Sequence, residues 1–144
     1  MKDLIDSVQT FLTTDLVTAT AKVVEKGLPE DPQQIPFTNY PYIALGDGGE
    51  RTAETDSEGS LNRFFSVLLV MAVYAIDKAT ALDNILDMSN TVKASIETEA
   101  NRQVDGLVWG RNIATFDWGD ENGFYMGRTV NIEYRELELT YFDY

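Results

Sequence analysis

Across the first two dozen residues Leu4, Val8, Phe11, Leu12, Leu16, Ala19 and Val23 recur at threes and fours, with Lys2, Asp6, Gln9, Thr13 and Lys22 between them. That spacing predicts an amphipathic helix. Gly27 suits a left-handed C-cap and Pro29 follows it, so the helix is expected to stop near Gly27. All four prolines, Pro29, Pro32, Pro36 and Pro41, lie within the next few residues. Leu28 to Asn39 therefore reads as an extended connector that can neither coil nor pair in a central strand. It leads into Tyr42-Ile43-Ala44-Leu45, a short strand expected at a sheet edge or starting just after Pro41.

Gly46 to Ser60 holds no large apolar residue and carries Asp47, Glu50, Glu54, Asp56 and Glu58 against a lone Arg51. It reads as a long acidic hairpin loop, and loops of that length are uncommon in compact domains unless they are functional or disordered. Asn62 to Ile76 follows as the strongest predicted strand. Phe65, Val67, Leu69, Met71 and Val73 fall on one face, and Phe64, Leu68, Val70, Tyr74 and Ile76 on the other. A strand apolar on both sides is covered on both sides. Either one helix lies on each face, or both helices share one face and the other meets a second sheet or another subunit.

After Asp77, the positions Leu82, Ile85, Ser89, Val92 and Ile96 align, with Asp83, Asn84, Asp87, Lys93 and Glu97 opposite. This predicts a second amphipathic helix from about Ala79 to Glu99, capped by Asp77 or Thr80. Gly106 hands over to a strand, Leu107 to Trp118. The turn Trp118-Gly119-Asp120-Glu121-Asn122-Gly123-Phe124 is a hairpin signal, because Asn-Gly supplies positive φ. The final strand, from about Phe124, alternates Val130, Ile132 and Tyr134, then switches to Leu137, Leu139 and Tyr141. A period of two cannot change parity without an extra residue, so a bulge or bend is expected near Arg135 and Glu136. The aromatic stretch Tyr141, Phe142 and Tyr144 is expected to dock on its own core or on a neighbour.

The order is helix, strand, strand, helix, strand, strand. It predicts one α+β domain over residues 1–144: a single antiparallel sheet of about four strands with two amphipathic helices packed on it, a loop at 46–60 and a C-terminal strand and tail at 129–144. A length of 144 residues fits that single domain.

Charge and composition then narrow the function. Lys and Arg number 11 against 24 Asp and Glu, a formal charge of −13, and 44% of residues are hydrophobic with 11% aromatic. Such a chain folds rather than forming a disordered acidic tail. Zero Cys and zero His remove disulfides, thiolate nucleophiles, cysteine-ligated zinc and the usual general base near neutral pH. The acidity argues against nucleic-acid reading, since phosphate affinity comes from clustered Lys and Arg. Asp3, Asp6, Asp15 and Glu25 interrupt the opening segment, which does not fit a secretory leader, and Phe64 to Ile76 is too short for a membrane helix. No membrane partner is expected.

Specific chemistry is sparse. Gly46-Asp47-Gly48-Gly49 follows a strand but opens no helix and lacks Lys, so it is no phosphate loop. Nor does it meet the order of an EF-hand calcium loop. Asp117 and Asp120 flank Trp118, where turn capping explains them better than acid catalysis. Trp109, Phe116, Trp118, Phe124 and Tyr125 are spaced as cross-strand pairs. No catalytic, cofactor-binding or metal-binding residue is assigned, and the chain is expected not to be an enzyme.

The opening helix, the Pro-rich lead into "NYPYIALGDG", the charged loop, "RFFSVLLVMAVYA", "ALDNILDMSNTVKASIE" and the closing "GRTVNIEYRELELTYF" together resemble the tail terminator proteins of tailed bacteriophages. The resemblance is to a layout spanning nearly the whole chain. It implies a hexameric ring that caps the tail tube, joins it to the neck and lets DNA pass without binding it specifically. It implies tube and neck proteins as partners, a virion location after synthesis in the host cytoplasm, and no catalytic residues. An acidic lumen would repel phosphates at short range. On that reading Asp47, Glu50, Glu54, Asp56, Glu58 and Asp120 are candidates for lumen or tube contacts, and Tyr141, Phe142 and Tyr144 for ring contacts. The alternatives are another neck or head–tail connector component, a small acidic ligand-binding domain or enzyme with the 46–60 loop as a lid, and an adaptor for a basic partner.

Overall fold

The computed structural model describes residues 1–16, 21, 23–28, 40–54, 61–119 and 125–136. The opening periodicity does form a helix, α1 (Lys2–Leu16), which buries Leu4, Ile5, Val8, Leu12 and Leu16. It is shorter than the sequence predicts. Val23–Lys26 is a strand, β1, not a continuation of the helix. Val23 and Val24 are β-branched, a type that loses rotamer freedom in a helix and fits a pleated surface.

β1 pairs in parallel with the start of β2 (Tyr42–Glu54), Val23 opposite Tyr42 and Lys26 opposite Leu45. The Tyr42-to-Leu45 strand is therefore not at an edge, because β3 (Leu61–Tyr74) lies on its other side. β2 also overturns most of the predicted acidic loop, running on through Glu54 with Glu50 opposite Phe65 and Glu54 opposite Leu61. Its polar residues are tolerated because, among the described residues, nothing pairs with the outer side of β2 beyond Leu45. Residues 55–60 of that loop, the connector at 29–39 and the turn at 120–124 lie outside the described residues.

α2 (Lys78–Glu97) starts at Asp77, whose carboxylate accepts hydrogen bonds from Thr80 N at 2.8 Å and Thr80 Oγ1 at 2.9 Å. These bonds hold the Asp77 carboxyl below the ordinary range. After one turn of 3-10 helix, Glu99–Asn101, the short β4 (Gln103–Val104) turns into β5 (Leu107–Gly119) through Asp105 and Gly106, both at positive φ. That pair is the Asp-Gly turn whose twist suits a two-residue hairpin. β5 pairs antiparallel with β6 (Tyr125–Glu136), and β6 with β3.

The sheet has six strands in the order β1-β2-β3-β6-β5-β4 and is mixed, in place of four antiparallel strands. The extra strands are two short edge pieces, four and two residues long, too brief to show a period in sequence. Both helices lie on one face. Their apolar stripes meet Val24, Ile43, Leu45, Val67, Leu69, Met71, Val73, Ile132 and Tyr134 in one core. Ser95 Oγ and Asn101 Nδ2 donate to Asp15 Oδ2, tying the end of α1 to the end of α2. Pairing of β6 runs without a shift through Arg135 opposite Phe64 and Glu136 opposite Leu107, and the residues after Glu136, where the alternation switches, lie outside the described residues. Register shifts fall at Asp47/Gly49, Trp109/Arg111 and Ala114/Phe116, on the strands next to the short edge pieces. There they bend the sheet where it has few neighbours.

Candidate interaction face

The two-sided apolar pattern of β3 leaves a second face to explain, because neither helix packs on it. At one end, Tyr40, Tyr42, Ala44, Val70 and Ala72 form a separate buried cluster with Val23 and Tyr125 against it. Tyr125 stacks at a tilt against Tyr74 and Tyr40, ring centroids 5.0 and 5.5 Å apart. The Tyr42 hydroxyl donates to Glu25 Oε1 at 2.8 Å, and burial raises its pKa, with the Glu25 contact adding to the rise.

The other end of this face is charged. Glu133 is 5% exposed although it is a carboxylate on a sheet surface. Arg51 reaches from β2 across β3, its guanidinium 4.0 Å from the centre of the Phe64 ring. It donates to Glu133 through Nε and Nη2, each at 3.0 Å, while Arg111 donates from the far side through Nε at 3.1 Å. The small residues Gly49 and Ser66 are paired in the row of Glu133, which leaves room for the crossing. Arg51 holds the Glu133 carboxyl below the usual carboxylate range, against the opposing effect of burial and with help from Arg111. The two arginine side chains remain 47% and 60% exposed. Each therefore presents part of its guanidinium outward. Next to this cluster Gly48 is required sterically, since a Cβ there would lie 2.6 Å from Asn131 Oδ1 and 2.9 Å from the Ser66 backbone oxygen.

This arrangement of sheet and helices has counterparts among solved structures. The fold is that of known phage-particle proteins. Bacteriophage SPP1 gp17 matches with a TM-score of 0.57 at 15% identity, over 96% of this chain and 92% of that one. A chain from the virion of a native gene transfer agent particle matches with a TM-score of 0.51 at 16% identity, over 93% and 94%. No protein-family model and no curated protein sequence matches the chain.

Of the acids singled out in sequence, Asp47 and Glu50 are strand residues whose register partners, Val67 and Phe65, belong to the helix-bearing side. Asp47 Oδ1 accepts from Gly49 N at 2.7 Å, closing the bulge, and Glu50 sits 3.7 Å from Arg63. Neither joins the Glu133 cluster. The side chain of Glu54, and Asp56, Glu58, Asp120, Tyr141, Phe142 and Tyr144, lie outside the described residues. Asp117 forms a two-point pair with Arg128, at 2.8 and 3.3 Å. Among the described residues no group of three His, Cys, Asp or Glu is arranged to hold a metal ion, and no helix is long and apolar enough to cross a membrane. Sequence reasoning passed over Arg51, Arg111 and Glu133. The usable signals were the single cation within an acidic stretch and a carboxylate between Ile132 and Tyr134, on the face opposite the core.

Proposed function

We propose that this chain is a structural protein of a phage-type particle, a tail terminator that assembles as a hexameric ring, caps the tail tube and joins it to the neck. It performs no catalysis. The observation that carries the reading is the match to bacteriophage SPP1 gp17 over nearly the full length of both chains. The resemblance of the sequence layout to tail terminators and the match to a gene transfer agent virion chain support it from independent directions.

The physical character of the chain agrees with such a role. A ring subunit must offer its neighbours sheet surface and edges, and among the described residues no helix packs on the second sheet face and no strand pairs with the outer side of β2 beyond Leu45. A ring around DNA must repel it, and a formal charge of −13 supplies that repulsion within about 8 Å at cellular salt. Tube and neck proteins are the partners in this reading, DNA passes without being gripped, and the virion is the destination after synthesis in the host cytoplasm.

Removing the gene from its phage tests this. The expected result is heads without tails beside tubes of uncontrolled length. Joined particles with tails of normal length would overturn the reading.

A further inference from the structure

The charged end of the second face is unusual for this molecule. Arg51 and Arg111 hold one carboxylate there, Glu133, and Arg135 lies on the same face, in a chain whose formal charge is −13. Arg135 shares this face because it pairs with Phe64, the residue under Arg51. Apolar side chains lie among these cations: Phe64 and Leu68 are half-buried, and Ile113 is 37% exposed. A surface of this kind fits an extended segment that carries both acids and aromatic residues, since guanidinium groups pair with carboxylates and stack on rings.

The stretch after β6 supplies both groups together. Residues 137–144 read Leu-Glu-Leu-Thr-Tyr-Phe-Asp-Tyr, with two acids, three aromatics and no cation. They follow β6 directly, starting four residues after Glu133. Eight residues span up to about 26–29 Å when extended, several strand spacings of about 4.8 Å. The segment contains no glycine, proline or asparagine, the residues that reverse a chain cheaply. Folding back onto its own Glu133 would need such a reversal within two or three residues, whereas a neighbouring copy can be reached without one.

We infer that segment 137–144 of one copy docks on the Arg51–Glu133–Arg111 face of the next, Glu138 pairing with the arginines while Phe142 and Tyr144, on the same side of the extended segment, cover Phe64 and Ile113. This contact is heterologous, head to tail, the type that closes a ring. It rests on the ring reading above for the presence of neighbours.

The test uses the absence of cysteine from the chain. Two full-length variants, Ile113→Cys and Phe142→Cys, are mixed under mild oxidation, both as concentrated purified protein and in assembled particles, and a third variant carries both changes. A disulfide-linked dimer from the mixed single variants is expected. Adding Glu138→Lys to the Phe142→Cys chain should cut its yield by about tenfold, and introducing Arg111→Glu on the partner chain should recover it. Recovery by Arg111→Glu on the partner chain separates loss of docking from loss of folding. No cross-link in either setting, or cross-linking within single chains of the double variant, would overturn the inference. The two readings fail separately, because absence of the chain from particles ends the tail-protein reading whatever the purified protein does.

Discussion

A glutamate at 5% exposure on a sheet surface needs compensation for its lost hydration, and Glu133 has three charge-assisted hydrogen bonds from two arginines. Glu133→Gln keeps the shape and removes the charge. It is expected to destabilise the fold by about 1–3 kcal/mol, the range for losing hydrogen bonds to a charged group, read as a lower unfolding midpoint in urea. The pH dependence has a definite sign. Arg51 and Arg111 depress the folded pKa of Glu133 below its ordinary 4.5, so its contribution is complete above that value and is lost as pH falls through the folded pKa. The gap between wild type and Glu133→Gln should therefore narrow on acidification below about pH 4.5, and a gap that stays constant down to pH 2 would contradict the assignment.

At the scale of elements, the bulge in β2 is the feature that depends most on one residue. A methyl group at Gly48 would meet the Ser66 backbone oxygen at 2.9 Å, and backbone on a paired strand cannot step aside as a flexible side chain can. Gly48→Ala is expected to cost about 1–3 kcal/mol, the usual range for overpacking. Gly110→Ala makes the contrast, with its nearest neighbour, the Glu133 backbone oxygen, at 3.4 Å. It should stay within about 0.5 kcal/mol of wild type. Equal losses in thermal melts of the two variants would contradict the steric account. The long elements were legible in sequence because each repeats its period several times: α1, α2, β3 and the alternation of β6. β1 and β4 were not, since four and two residues cannot display a period, and β1 carried on the threes-and-fours spacing of the helix before it. β2 was missed beyond Leu45 for a different reason. Its residues are polar and glycine-rich, and only hydrogen bonding to the strongly apolar β3 makes them a strand. The Glu133 cluster was hidden because it joins residues 51, 111 and 133, which only the sheet order brings together.

For the whole molecule, the two faces of the sheet divide the work. One is covered by both helices and supplies the main core, and the other carries tyrosines at one end and arginines at the other. The negative charge belongs to the assembled particle in this account, as a wall that DNA slides past. Replacing Glu50, Glu54, Asp56 and Glu58 together by Lys, with Asp47 kept because it closes the β2 bulge, is expected to slow DNA ejection or block assembly. Unchanged assembly and ejection would sink the lumen assignment. The central claim, that this chain is a ring component at the top of a phage tail, is tested most directly by electron cryomicroscopy of the intact particle. The account expects six copies in a closed ring between the last tube layer and the neck. Purified particles without the chain, or with it elsewhere than the tail and neck, would contradict it.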